Sequence, residues 1–226
     1  MTRAARDSGL RAAGSRGART PVVVVHGVWM RGASMRVLRR RLEAGGFDVH
    51  TFSYPSVTAN LAANASRLAA FLDAVTGETV HVVAHSLGGV LVRAMLETGS
   101  PQRLGRVVCL GTPFTGSRTA ARVARLPGGT RLIGRSLADL LVRGGFDAWR
   151  ARSEVGIIAG RVPIGFGRLF GRFGEPNDGT VAIAETRLAD AHDHIVLPVA
   201  HMALLWSPEV ARQVDSFLRQ GKFERG

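Results

Sequence analysis

The chain has 226 residues, 46% of them hydrophobic and 21% charged, enough to bury one full core and too apolar for a disordered or low-complexity chain. No apolar run approaches the ~18 residues that span a bilayer, and the lone Cys109 excludes an intrachain disulfide. The formal net charge is +13, carried by 29 arginines and one lysine, Lys222.

Residues 1–20 carry five arginines and no apolar stretch; they read as a disordered basic tail rather than a secretory signal, and the expected location is cytoplasmic. From Pro21 onward, short β-branched strands alternate with longer amphipathic stretches. Val22–Val25 is a strand ending at His26-Gly27. Ser34–Ala44 is helical, with Met35, Leu38 and Leu42 on one face and Gly45-Gly46 as its stop. Val49–Tyr54 is a second strand that stops before Pro55, and 59–75 has helical spacing through Leu61, Leu68, Leu72 and Val75. Thr79–Ala84 is a third strand, followed by a helix over Leu87–Glu97; Arg106–Leu110 is a fourth strand. Val155–Ala159 and Ile195–Val199 are the fifth and sixth, and a closing helix runs from Pro208 to Arg219.

This alternation implies an α/β domain over 21–226, with a mostly parallel sheet covered on both faces. Segment 114–153 departs from it, holding helix and no strand. Gly128-Gly129 and Gly144-Gly145 bracket one helix with Ile133, Leu137, Leu140 and Leu141 on one face and Arg131, Arg135, Asp139 and Arg143 on another. It reads as a small cap excursion. Charge concentrates there: residues 114–173 carry +8, against +4 for 1–20, +4 for 21–113 and −3 for 174–226. A solvated face is the default reading; the alternatives are anionic lipid, a phosphate-bearing substrate or nucleic acid.

The sharpest motif is Ala84-His85-Ser86-Leu87-Gly88-Gly89. Serine is a poor nucleophile until its hydroxyl is presented and a base takes its proton. A turn between strand and helix presents Ser86 at the carboxyl end of the strand, and the helix start points N–H groups and a positive dipole at the same place. The pattern is weak alone, but strand before and helix after supply the context it requires.

With Val25-His26-Gly27-Val28, Leu110-Gly111-Thr112-Pro113-Phe114-Thr115-Gly116-Ser117 and Asn177-Asp178-Gly179-Thr180-Val181, this elbow makes the chain resemble the α/β-hydrolase superfamily, in its small bacterial lipase/esterase branch. The four pieces are spread over 21–219 and are more specific for the superfamily than for a substrate. Ala84 departs from the usual first glycine of the elbow, which costs little if φ stays negative there. About six strands make this a minimal version of the fold.

The resemblance implies the chain order Ser, acid, His. His201, after the last strand, is the expected base. His192 and His194 fall ahead of that strand, at the wrong end of the sheet, while His81 and His85 lie beside the nucleophile, where His85 packs or bonds locally. Asp178 is the expected acid, against an Asx-turn role in Asn-Asp-Gly; Glu175, Asp190 and Asp193 are its substitutes. Backbone N–H groups of Val28 and Leu87 are the expected oxyanion donors, with Trp29 as the alternative to Val28. Trp29, Met30 and Phe114 are expected at the substrate, and Phe146, Trp149, Phe166, Phe170 and Phe173 are either an apolar entry or core. His192-Asp193-His194 has metal-ligand residue types without a matching cluster, and Cys109 reads as a small core residue. No P-loop or dinucleotide fingerprint is present. No cofactor or metal is expected.

The implied activity is serine carboxylic-ester hydrolysis through an acyl-enzyme. A thioesterase or acyltransferase would use the same residues. A dehalogenase would need a carboxylate in place of Ser86. A non-catalytic binding protein of this fold would lack part of the Ser-Asp-His set, and a nucleic-acid-binding protein would need a recognition module that the sequence does not display. The expected partners are an ester or lipid substrate and, through the arginines, an anionic lipid surface.

Overall fold

The computed structural model describes residues 19–99, 101–165 and 174–225. The basic tail up to residue 18, and Phe166, Phe170 and Phe173, lie outside the described residues. Among the described residues, six strands form one sheet: β1 (Pro21–Val25), β2 (Asp48–Phe52), β3 (Val80–His85), β4 (Leu104–Leu110), β5 (Val155–Gly160) and β6 (Asp193–Leu197). Their order is β2-β1-β3-β4-β5-β6, and every neighbouring pair is parallel.

The continuous valine run of β1 is explained by burial on both sides. Val23 and Val25 face a layer built on helices α2 (Leu61–Ala74) and α3 (Leu87–Thr98). Val22 and Val24 face the opposite layer, built on α1 (Arg36–Ala44) and α7 (Pro208–Gln220). A strand buried on both faces has no polar positions to alternate with. Side-chain caps fix the helix starts: Asn60 accepts from Ala63 N at 2.8 Å, and Ser207 accepts from Val210 N at 3.3 Å ahead of Pro208.

Between β4 and β5 the chain forms α4 (Arg118–Ala124), α5 (Gly129–Ile133) and α6 (Arg135–Arg143). The single helix expected between the glycine pairs is thus two. Gly134 breaks it at φ +78°, and a Cβ there would come within 2.7 Å of the Val57 backbone. The break lets Arg135 N donate to Val57 O at 2.8 Å. Leu137, Leu140 and Ile133 still enter the core beside α2 and α3.

Other boundaries move for local reasons. β6 begins and ends two residues earlier than its hydrophobicity indicates, so His194 lies within the strand; Val199 N bonds to Leu197 O and turns the chain out of the ladder. Tyr54 leaves β2, and its N–H and hydroxyl bond to His26. β4 starts at Leu104 because a bulge shifts its register against Val80–Val82. The Arg106 N–H at that bulge is accepted by His81 Nδ1 at 2.8 Å. No helix among the described residues is long and apolar enough to cross a membrane.

Burial, and secondarily the Arg106 charge, push His81 down to about 4. Its folded pKa lies below the unfolded value of ~6.5, so the neutral ring contributes stability above that value and loses it as pH falls toward 4. We expect the urea midpoint to drop across this window. His81→Gln, which keeps an acceptor for the Arg106 N–H, should flatten part of the drop; an unchanged pH profile in the variant would contradict the assignment.

Candidate active site

The elbow between β3 and α3 is strained. Ser86 has φ +54° and ψ −123°, a region that a residue with a Cβ occupies only when its surroundings hold it there. Its N–H donates to Leu110 O at 2.8 Å, extending the β3–β4 ladder, and its carbonyl accepts from Gly89 N at 3.0 Å. Two glycines make the turn sterically possible. A Cβ on Gly88 would lie 2.7 Å from Val25 O and 2.8 Å from His26 O, and one on Gly27 would lie 3.1 Å from Ser86 Cβ. Ala84 is not among the residues with positive φ, so the missing first glycine costs nothing in backbone strain.

His201 follows β6, and its Nδ1 stands 2.7 Å from Asp178 Oδ2, both side chains being buried. A carboxylate only accepts, so Nδ1 carries the hydrogen of this bond and Nε2 is the ring nitrogen that Asp178 leaves unengaged. Asp178 also serves the turn that competed for it. Its Oδ1 accepts from Thr180 N at 3.0 Å and Val181 N at 2.8 Å, leaving Oδ2 to the imidazole. The backbone adds a further tie, His201 N to Asp178 O at 2.9 Å. Ser86 and His201 line one cavity of about 570 Å³, together with Val28, Trp29, Met30 and Met202.

The substitute acids are engaged elsewhere. Glu175 pairs with Arg118, Asp190 accepts from the N–H groups of Trp149 and Arg150, and Asp193 accepts from Phe223 N at 2.9 Å and pairs with Arg225. His194 Nε2 meets Thr186 Oγ1 at 2.9 Å and His192 lies 3.4 Å from Glu154, so the His192-Asp193-His194 run points to three separate partners. Among the described residues, no three His, Cys, Asp or Glu side chains converge on a potential ion site. Cys109 is fully buried, and burial raises its thiol pKa far above the ordinary range.

Neither the Val28 nor the Leu87 N–H is taken by a hydrogen bond among the described residues. The N–H of Trp29, the alternative donor, is engaged: it donates to Ser56 Oγ at 3.2 Å. Trp29 and Met30 line the cavity, whereas Phe114 does not. Phe114 is fully buried in the core, edge-on to Trp149, and its carbonyl accepts from Phe146 N. Phe146 and Trp149 belong to the same core.

Three residues that position this site stand in or beside the motifs, but their sequence does not show how they act. The His26 ring stacks on Tyr54 at 4.6 Å, donates from Nδ1 to Gly27 O and accepts Tyr54 N at Nε2, which fixes the loop bearing Val28. Burial lowers its pKa. His85 contacts the His201 ring at 4.7 Å between centroids, and its Nε2 lies 3.2 Å from His201 O. Burial, then the neighbouring His201, hold His85 well below the ordinary imidazole range, so it stays neutral. Gly111, at φ +56°, leaves room for the Asp178–His201 pair: a Cβ there would stand 3.0 Å from His201 Nδ1 and 3.1 Å from Asp178 Oδ2. Only its place in the Gly111–Ser117 stretch hinted at a role.

Residues 22–219 match the model of an alpha/beta hydrolase family. Among solved structures, the mature form of the Bacillus licheniformis lipase BlEst2 is similar at 20% identity and TM-score 0.70, with 92% of this chain and 94% of that one covered. The metagenomic carboxyl esterase MGS0156 is similar at 19% identity and TM-score 0.62, over 83% of this chain and 66% of that one. The pyrethroid hydrolase PytH is similar at 15% identity and TM-score 0.60, over 90% and 99%. No curated protein sequence matches.

Glycine at position 86 would relieve the positive-φ strain. Ser86→Gly is expected to stabilise the fold by about 1–2 kcal/mol, read as a higher urea midpoint; a lower one would show that the serine backbone is not strained.

Proposed function

Because the chain belongs to the alpha/beta hydrolase family, we propose that it is a serine carboxylic-ester hydrolase working through an acyl-enzyme, with Ser86 as nucleophile, His201 as base and Asp178 as the acid that orients it. The observation that carries this reading is the pairing of His201 Nδ1 with Asp178 Oδ2 at 2.7 Å on the wall of the cavity that Ser86 also lines.

Ser86 Oγ attacks the ester carbonyl carbon while its proton passes to His201 Nε2. The carbonyl oxygen takes the negative charge and is received by the Val28 and Leu87 N–H groups, each donor worth ~3 kcal/mol of barrier. Asp178 stabilises the imidazolium without taking its proton. Collapse breaks the bond to the alkoxy oxygen, which leaves with the proton from His201. A water then attacks the acyl-enzyme, its proton going to His201, and the acid departs as Ser86 is reprotonated. A neutral His85 beside His201 suits this cycle, since a second fixed cation would oppose the imidazolium.

Ser86→Ala should reduce p-nitrophenyl ester turnover by roughly 10³-fold or more, with a native circular-dichroism spectrum. Asp178→Asn should reduce it by about 10⁴-fold, because an amide can present N–H to Nδ1 and favour the wrong tautomer. Normal kcat in either variant rejects the mechanism.

The mouth of the cavity also supports contact with an anionic lipid surface. Trp29 and Leu132, each 46% exposed, and Met202, 40% exposed, stand on its wall, and Arg131 is exposed next to Leu132. Vesicles with anionic headgroups should raise turnover above zwitterionic ones, more so at low salt; equal rates on both would remove lipid contact from the account.

A further inference from the structure

Ser86 lines two cavities of very different size. The large one, about 570 Å³, includes His201 and Met202 in its wall. The small one, about 70 Å³, excludes His201 and runs from Val28, Ser86 and Leu87 inward between Pro113, Ala120, Val123, Ile133, Leu137 and Val181. All six of those inner residues are buried.

The chemistry assigns a different half of the ester to each. The alkoxy oxygen must receive its proton from His201, so the alcohol group lies on the His201 side, in the large cavity. With the carbonyl oxygen at the Val28 and Leu87 N–H groups, the acyl chain is left the direction away from the imidazole, into the small cavity. A cavity of about 150 Å³ admits benzene, so 70 Å³ takes roughly three carbons. We infer that the substrates are short-acyl esters, about two to four carbons in the acid, of larger apolar alcohols; this rests on the ester-hydrolase reading above.

The small cavity is mostly apolar. Of the Ser117, Thr119 and Thr180 hydroxyls in its wall, two are already committed: Ser117 Oγ accepts Ala120 N at 3.2 Å and Thr119 Oγ1 donates to Thr180 O at 2.6 Å. The wall bearing Ile133 and Leu137 is tied to α2 and the turn before it. Buried Ser136 donates to Ala59 O at 2.8 Å and accepts from Asn64 Nδ2 at 3.0 Å, and Asp139 Oδ2 accepts Leu61 N at 2.8 Å. Lengthening the acyl chain therefore has to displace packed side chains rather than water.

The test is a two-way series of kcat/KM: p-nitrophenyl acetate, butyrate and octanoate on one axis, and ethyl and hexyl butyrate, whose leaving groups are equally basic, on the other. Acetate and butyrate should exceed octanoate by about tenfold or more, and hexyl butyrate should match or exceed ethyl butyrate. Ile133→Ala and Val123→Ala should each raise the octanoate-to-acetate ratio by about tenfold, while Ala120→Leu should lower the butyrate-to-acetate ratio, all read on variants with cooperative melting. Octanoate preferred by the wild type, or acyl profiles unchanged in all three folded variants, overturns the pocket assignment alone. No turnover of any ester overturns the ester-hydrolase reading and the assignment with it.

Discussion

The positive φ of Ser86 is the constraint on which the site depends. Such a backbone costs about 1–3 kcal/mol and persists only where packing over-determines it. Here β3 is locked on both sides, His85 in register with Leu110 and Ala84 with Val25 and Cys109. The first turn of α3 is pressed so close to the end of β1 that Gly88 has no room for a Cβ. The sheet and α3 thus determine the direction of the serine hydroxyl, and the neighbouring loops then meet it at the carboxyl edge.

The carboxylate of Asp178 joins two of those loops. One oxygen closes the Asn-Asp-Gly turn after β5, and the other holds the imidazole that follows β6. The turn role and the site role are therefore the same geometry seen from the two oxygens. Three further imidazoles near the elbow and β3, those of His26, His81 and His85, are all driven toward neutrality by burial. They act as rigid hydrogen-bonding spacers, and they add no cations beside His201.

Much of the arginine surplus has structural work. Arg103 donates to the carbonyls of Asp73, Val75 and Gly77 at the end of α2. Arg106 donates to those of Leu218 and Arg219 at the end of α7 while pairing with Glu154. Both place a cation and donors where a helix leaves its last carbonyls unpaired. Arg93 and Arg143 sit over the Phe146 ring, Arg93 also donating to Ala148 O. The net charge alone is thus a poor guide to partners.

The sequence by itself determined the layered α/β architecture and the position of the elbow, because β-branched runs buried on both faces and a Ser between strand and helix are local patterns. It also named Asp178 and His201, through loop motifs and chain order rather than any spacing between them. Tertiary structure alone decided the rest. The break at Gly134 depends on Val57, the loss of Trp29 N–H on Ser56, and the core position of Phe114 on Trp149, each a contact between segments distant in the chain. Cavity size belongs to the same class. It is the space left between α4, α5, α6 and the elbow with the loops beside it, and no short stretch of residues encodes a volume bounded by so many separate segments.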